Sequence, residues 1–359
     1  MQPHQRVLAQ SFARNCNVRY LSRNVNHPRL LSSTSPRANR RRVLLDIPPL
    51  FPVTKTCPTS CDCPTPAMPE GLPVDHEQAL NGTMAAYAQQ LVVCTGQRDW
   101  TSRIENDGEN QGWGNLVRGL KSLLGRGGPY LDPFNNILVT ASSLAPTSKD
   151  SQSASGFLFP SFKYIPTIPV QALSSPEPTN LTTFVRAFLL PEKLHNMHSS
   201  LPESKQIEMT RLPSLTSHFP DTIDIKHSPI ILICGHGGRD MRCGVMAPAL
   251  ETQFQSVLAA HGFSSTGTDF TTIDDPKHAH IGLISHVGGH KYAGNIIVYI
   301  PPEMKMGSEE HPLAGKGIWY GRIEPMHVQG IVEETVLGGK VVTDHFRGGI
   351  DRNGDILRM

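Results

Sequence analysis

The chain has 359 residues, 38 % of them hydrophobic, with 31 glycines, 30 prolines and no run approaching the roughly 20 apolar residues of a membrane span. That composition favours a loop-rich α/β protein of about two domains over a helical bundle, and seven cysteines without a secretory apolar core argue against a disulfide scaffold. The net charge of +2 hides an asymmetry, because residues 1–45 carry nine arginines and no lysine, aspartate or glutamate, leaving a mildly acidic body without a nucleic-acid footprint.

The opening segment reads as an address. Leu8, Phe12 and Cys16 share one face of a helical wheel, while Arg6, Gln10 and Arg14 share another. Arginine-rich, serine-bearing and acid-free amphipathic character is that of a mitochondrial transit peptide, expected over 1–45. The alternatives are a disordered basic arm or, from Arg40, Arg41 and Arg42, nuclear targeting.

An amino-terminal lobe is expected over 46–197. It opens on a proline-rich leader with Cys57, Cys61 and Cys63, followed by a helix at 84–90 capped by Thr83 and a strand at 91–93. Further strands are predicted at 136–140 and 157–169, and a helix at 184–197 interrupted by Pro191. Residues 198–227 read as a linker. In the second lobe, 228–345, strands are predicted at 230–233, 281–285, 296–300 and 318–320. One helix is expected to start at Pro248 and stop at Gly262, and another to run from Pro325 to the Gly338-Gly339 pair. This order suits a small mixed sheet with helices packed on it, as in thioredoxin-like folds, with 346–359 as a tail.

The chemistry concentrates in that second lobe. Cys234 follows an apolar strand, Cys243 stands nine positions later beside Arg239 and Arg242, and His286 and His290 flank a Val-Gly-Gly loop. Two thiolates and two imidazoles suit one metal ion or one small cluster, and both sulfurs are expected to ionise readily. A structural zinc fits the ligand types. A Rieske centre shares them, but its second half needs Cys-x-x-His, and Cys243 is followed by Gly244, Val245 and Met246. A non-Rieske [2Fe–2S] cluster is the third candidate, and spacing does not separate it from zinc.

The pattern Cys234-x8-Cys243, followed by His286-Val-Gly-Gly-His290-Lys-Tyr-Ala-Gly-Asn295 and Trp319-Tyr320-Gly321-Arg322, resembles the fungal sucrase/ferredoxin-like family. The resemblance implies a thioredoxin-like ferredoxin domain whose [2Fe–2S] cluster is held by Cys234, Cys243, His286 and His290, with zinc as the rival occupant. Two thiolates cancel the charge of an oxidised [2Fe–2S] core, so a higher potential than that of a plant-type ferredoxin is expected, falling as pH rises if a ligated imidazole exchanges a proton. The function implied is that of a mitochondrial single-electron carrier in redox or thiol quality control, acting on unidentified protein partners and without a stand-alone substrate pocket. The other classes are a zinc-stabilised interaction module and a thiol oxidoreductase using Cys57, Cys61 or Cys63.

Other motifs carry less. The string from Cys94 to Arg98-Asp99 echoes Cys234 to Arg239-Asp240 with one residue fewer, which points either to a duplicated lobe or to chance. No Gly-x-Ser-x-Gly nucleophile or Gly-x4-Gly-Lys-Ser/Thr loop occurs, so hydrolase and nucleotidase readings are poor. His236 sits between the cysteines as a possible substitute ligand. His261, His278, His280, His311, His327 and His345 read as surface or packing residues, Lys291 and Asn295 as residues that shape the site, and Trp319 and Tyr320 as core aromatics.

Overall fold

The computed structural model describes residues 49–58, 71–171, 180–265 and 273–359. The expected transit peptide, Cys61 and Cys63 lie outside these. One mixed sheet of eleven strands organises the described residues: β1 Gln89–Cys94, β2 Ile137–Ser142, β3 Ser153–Phe159, β4 Lys163–Pro169, β5 Ile223–Asp224, β6 Ile230–Cys234, β7 His280–Ile284, β8 Ile296–Ile300, β9 Lys316–Tyr320, β10 Phe346–Ile350 and β11 Ile356–Leu357. Their order across the sheet is β11-β10-β9-β8-β6-β7-β2-β1-β3-β4-β5.

That order contains one arrangement twice. β1 pairs in parallel with β2 and antiparallel with β3, which pairs antiparallel with β4; α1, Gly112–Leu124, connects β1 to β2, and α2, Leu181–Phe184, follows β4. In the second half β6 pairs in parallel with β7 and antiparallel with β8, which pairs antiparallel with β9. There α3, Met241–Ala260, connects β6 to β7 and α4, Pro325–Ile331, follows β9. The halves meet where the equivalent strands β2 and β7 run antiparallel. The seam is symmetric down to its serines: Ser285 Oγ accepts from Ala141 N–H and Ser143 Oγ from Leu283 N–H.

Strands buried on both faces explain the unbroken apolar runs. Ile231 and Ile233 face a core shared with the helices, through Leu116, Leu250, Phe254 and Val328. Ile230, Leu232 and Cys234 face a second, aromatic-rich core with Phe157, Phe159, Tyr299 and Trp319. Phe159 and Tyr299 stack there with centroids 3.7 Å apart.

Several expectations shift. The helix expected from Pro248 begins at Met241, because Asp240 caps it by accepting from Arg242 N–H, so Pro248 lies inside it. The predicted strand at 157–169 is a hairpin, β3 turning into β4. α1 was not anticipated, since glycines at 112, 114 and 119 mask an apolar face of Trp113, Leu116, Val117, Leu120 and Leu123. Residues 84–88 form no helix; Met84 N–H instead donates to Arg347 O on β10. The segment expected as a linker carries a short helix, Glu203–Glu208, and strand β5 on the sheet edge. The expected tail supplies β10 and β11, and β10 is fully buried. The described residues form one compact unit. Among the described residues no helix is long and apolar enough to cross a membrane.

Candidate metal centre

β6 ends at Cys234, whose N–H donates to Asn295 O at 2.9 Å. A short turn then reaches α3, which presents Cys243 from its first turn. The turn lies tight on the helix: a Cβ on Gly244 would stand 2.6 Å from Gly237 Cα. Both sulfurs are buried, Cys234 at 2 % exposure and Cys243 at 0 %. β7 delivers His286 opposite them, with Nδ1 3.9 Å from Cys234 Sγ. The donor atoms of Cys234, Cys243 and His286 all lie within 4.8 Å of one another.

His290 stands at the outer rim. Its ring centroid is 5.4 Å from that of His286, and it is exposed where His286 is half-buried. The structure thus brings three of the four expected ligands into one cluster and sets the fourth beside it. Two buried sulfurs backing two more accessible imidazoles form a donor set of the kind that a soft metal or an iron–sulfur group requires.

The thiols do not behave alike. The Cys243 S–H bonded to Cys234, with His286 beside it, holds Cys234 well below the usual thiol range, whereas Cys243 is pushed up by its bond to Cys234, by burial and by the neighbouring negative charge. Two buried thiols in contact resist carrying a negative charge each. Losing the second proton calls for a cation between them.

His236 is not a substitute ligand. Its Nε2–H donates to Thr101 O at 2.8 Å, and its Nδ1 accepts from His286 N–H at 3.0 Å. Both ring nitrogens are engaged, which fixes one neutral tautomer and makes the ring a spacer between the halves. The first half contributes more. Asp99 accepts from Gly238 N–H at 3.1 Å, Ser102 Oγ accepts from Arg239, and Arg98 pairs with Glu251 on α3.

The 286–295 loop is held from below by a residue that sequence reasoning missed. Arg347 on β10 is 1 % exposed; it donates to Gly288 O at 3.2 Å, Asn295 Oδ1 at 2.7 Å, Thr83 Oγ1 at 3.1 Å and Thr83 O at 2.9 Å. Gly289 has φ +77°, and a Cβ there would stand 2.4 Å from the guanidinium. Asn295 also donates to Gly289 O, so it shapes the site as expected. Residues 73–78 strap the rim: Arg242 donates to Pro73 O, Lys291 reaches Asp75, and Arg322 donates to Gln78 O. The available signal for Arg347 was a cation in an otherwise apolar or glycine stretch, Phe346 to Ile350.

The remaining cysteines among the described residues, Cys57 and Cys94, are sequestered. Cys57 is buried, bonded to His327 O and pushed up to about 11, first by burial. Cys94, at the end of β1, is pushed up to about 12 by burial. By strand position Cys94 matches Cys234, but Gly114 stands where α3 has Cys243 and Leu144 where β7 leads to His286. The first half therefore lacks the rest of the donor set. Trp319 and Tyr320 are fully buried core residues, as expected. A cleft of about 510 Å³ opens beside His286, lined by Ser285, His236 and Arg239 on one side and Arg103, Glu105 and Lys121 on the other.

Residues 80–348 match the family described as sucrase/ferredoxin-like, a span that includes all four candidate ligands. The chain is 30 % identical over 296 residues to altered inheritance of mitochondria protein 32 of Meyerozyma guilliermondii, covering 81 % of this chain and 91 % of that protein. It is 28 % identical over 312 residues to the protein of the same name from Debaryomyces hansenii, covering 81 % and 94 %. A shorter match, 31 % over 118 residues and about a third of each chain, is to actin patches distal protein 1 of Saccharomyces cerevisiae. No solved structure matches the chain.

Proposed function

Since the chain belongs to the sucrase/ferredoxin-like family, we propose that Cys234, Cys243, His286 and His290 hold a [2Fe–2S] cluster and that the protein is a mitochondrial single-electron carrier. The observation that carries this reading is the pairing of two buried sulfurs with two imidazoles that grade from half-buried to exposed. His290 at the rim suits a dinuclear group, which spreads its ligands more widely than a single ion. The strand order found in both halves supports a thioredoxin-like reading of each, and the relatives' names support the mitochondrial one.

The chain's own residues divide the work. Cys234 and Cys243 bind from the dry side, and the aromatic core behind Cys234 excludes water. His286 is oriented by His236, and His290 by the glycine turn above Arg347. The imidazole rim, with the strap of 73–78 beside it, is the edge at which a protein redox partner would approach. When bound, the [2Fe–2S] group supplies one-electron chemistry, and with two neutral ligands in place of two thiolates it accepts an electron more readily than a four-cysteine site.

Iron, zinc and acid-labile sulfide quantification on anaerobically purified protein tests the reading. The expected result is two irons and two sulfides per chain, lost in Cys234→Ser and reduced or spectrally altered in His290→Ala. Zinc without sulfide would overturn it. A mononuclear zinc is the second reading, favoured by one observation: Cys234, Cys243 and His286 alone form the tight group. The thiol-oxidoreductase reading finds no support at Cys57, which is buried and hard to ionise.

A further inference from the structure

Arg347 is a cation in a place that costs free energy. Its side chain is buried between the rings of Tyr292 and Trp319, 5.5 and 5.8 Å from their centroids. Among the described residues its four hydrogen bonds end on two backbone carbonyls, one hydroxyl and one amide oxygen, and none on a carboxylate. A buried charge without a counter-charge is expensive, and burial accordingly pulls the guanidinium down to about 10. Its partners belong to the frame of the candidate centre: Gly288 lies between His286 and His290, and Asn295, which accepts the 2.7 Å bond from Arg347, also takes the Cys234 N–H on its backbone oxygen.

We propose that Arg347 is a positioning residue that fixes the redox balance of the centre, holding the 286–295 loop through its hydrogen bonds and stabilising through its charge the form carrying one extra electron. This rests on the [2Fe–2S] reading and deepens it. With two thiolates and two neutral imidazoles the oxidised centre is neutral, and one electron from a one-electron donor makes it singly negative. A buried cation favours that reduced state over the oxidised one. A zinc ion in the same ligands stays neutral and gives such a cation no redox function.

The test is a redox titration, followed by absorbance, of anaerobic wild-type protein, Arg347→Gln, Arg347→Lys and Asn295→Asp. Arg347→Gln removes the charge while keeping amide donors. Asn295→Asp leaves the guanidinium in place and sets a carboxylate on the atom that already accepts its 2.7 Å bond. Both are expected to lower the potential by about 59 mV, a tenfold change for a one-electron couple, whereas Arg347→Lys retains most of the wild-type value. Unchanged potentials in Arg347→Gln and Asn295→Asp, with sulfide retained, would overturn the role of Arg347 alone. Equal losses in Arg347→Lys and Arg347→Gln would assign the effect to packing and overturn it too. If Arg347→Gln does not fold, Asn295→Asp decides. Wild-type protein without labile sulfide would overturn the cluster reading, and this proposal with it.

Discussion

His236 lies between the two cysteines in sequence and could pass for a ligand, yet both its nitrogens are spent on the backbone. Replacing it with phenylalanine orphans His286 N–H and Thr101 O, at about 1–3 kcal/mol for each buried group left unsatisfied. The expected outcome is a lower unfolding midpoint and a lower metal-to-protein ratio, although Cys234, Cys243, His286 and His290 all remain; calorimetry and metal quantification check it. The ligand candidates themselves were legible because their spacing is local, Cys-x8-Cys and His-x3-His. What surrounds them was not. Arg347 is 57 residues from His290 in sequence, and Thr83 and Asp99 precede Cys234 by far more, so only the strand pairing brings them in.

The 286–295 turn shows how an element carries the site. Gly289 both adopts a left-handed conformation and leaves space for the guanidinium, so Gly289→Ala is expected to cost at least about 1–2 kcal/mol from the backbone alone. Denaturant unfolding measures this, and a cost below 0.5 kcal/mol, on the order of a neutral surface change, would contradict it. On β7, His280 donates to Ile273 O and is held down to about 4, chiefly by burial, as is His327 on α4. The unfolded chain takes up these protons near 6.5, the folded one only near 4. Stability from these residues is therefore complete above about pH 6.5 and is lost as pH falls towards 4. Thermal melting across that window should show the decline, shallower in His280→Asn. Strands and the last helix were readable from apolar runs and flanking glycines, whereas the start of α3 was not. Pro248 offered a conventional helix start, but the Asp240 cap eight residues earlier took precedence.

At the scale of the molecule, one strand order occurs twice, and the echo between Cys94 and Cys234 belongs to that repeat. The short string was legible, but the repeat itself was not, because the halves differ in loop length: 17 residues part β1 from α1 and 6 part β6 from α3. The extra length in the first half is what reaches over to Gly238, His236 and Arg239. A fragment of residues 228–359 lacks those contacts, β2 at the seam and the Thr83 anchor of Arg347. It is expected to retain metal poorly through gel filtration and to melt well below the full chain. A fragment that binds metal as tightly as the intact protein would refute this division of labour.

The half that carries only Cys94 thus serves as a jig for the other. A hunt for inactivating changes should consequently return hits around Asp99 and Thr101, far from Cys234 and Cys243 in the sequence, and these would mimic damage to the candidate ligands themselves.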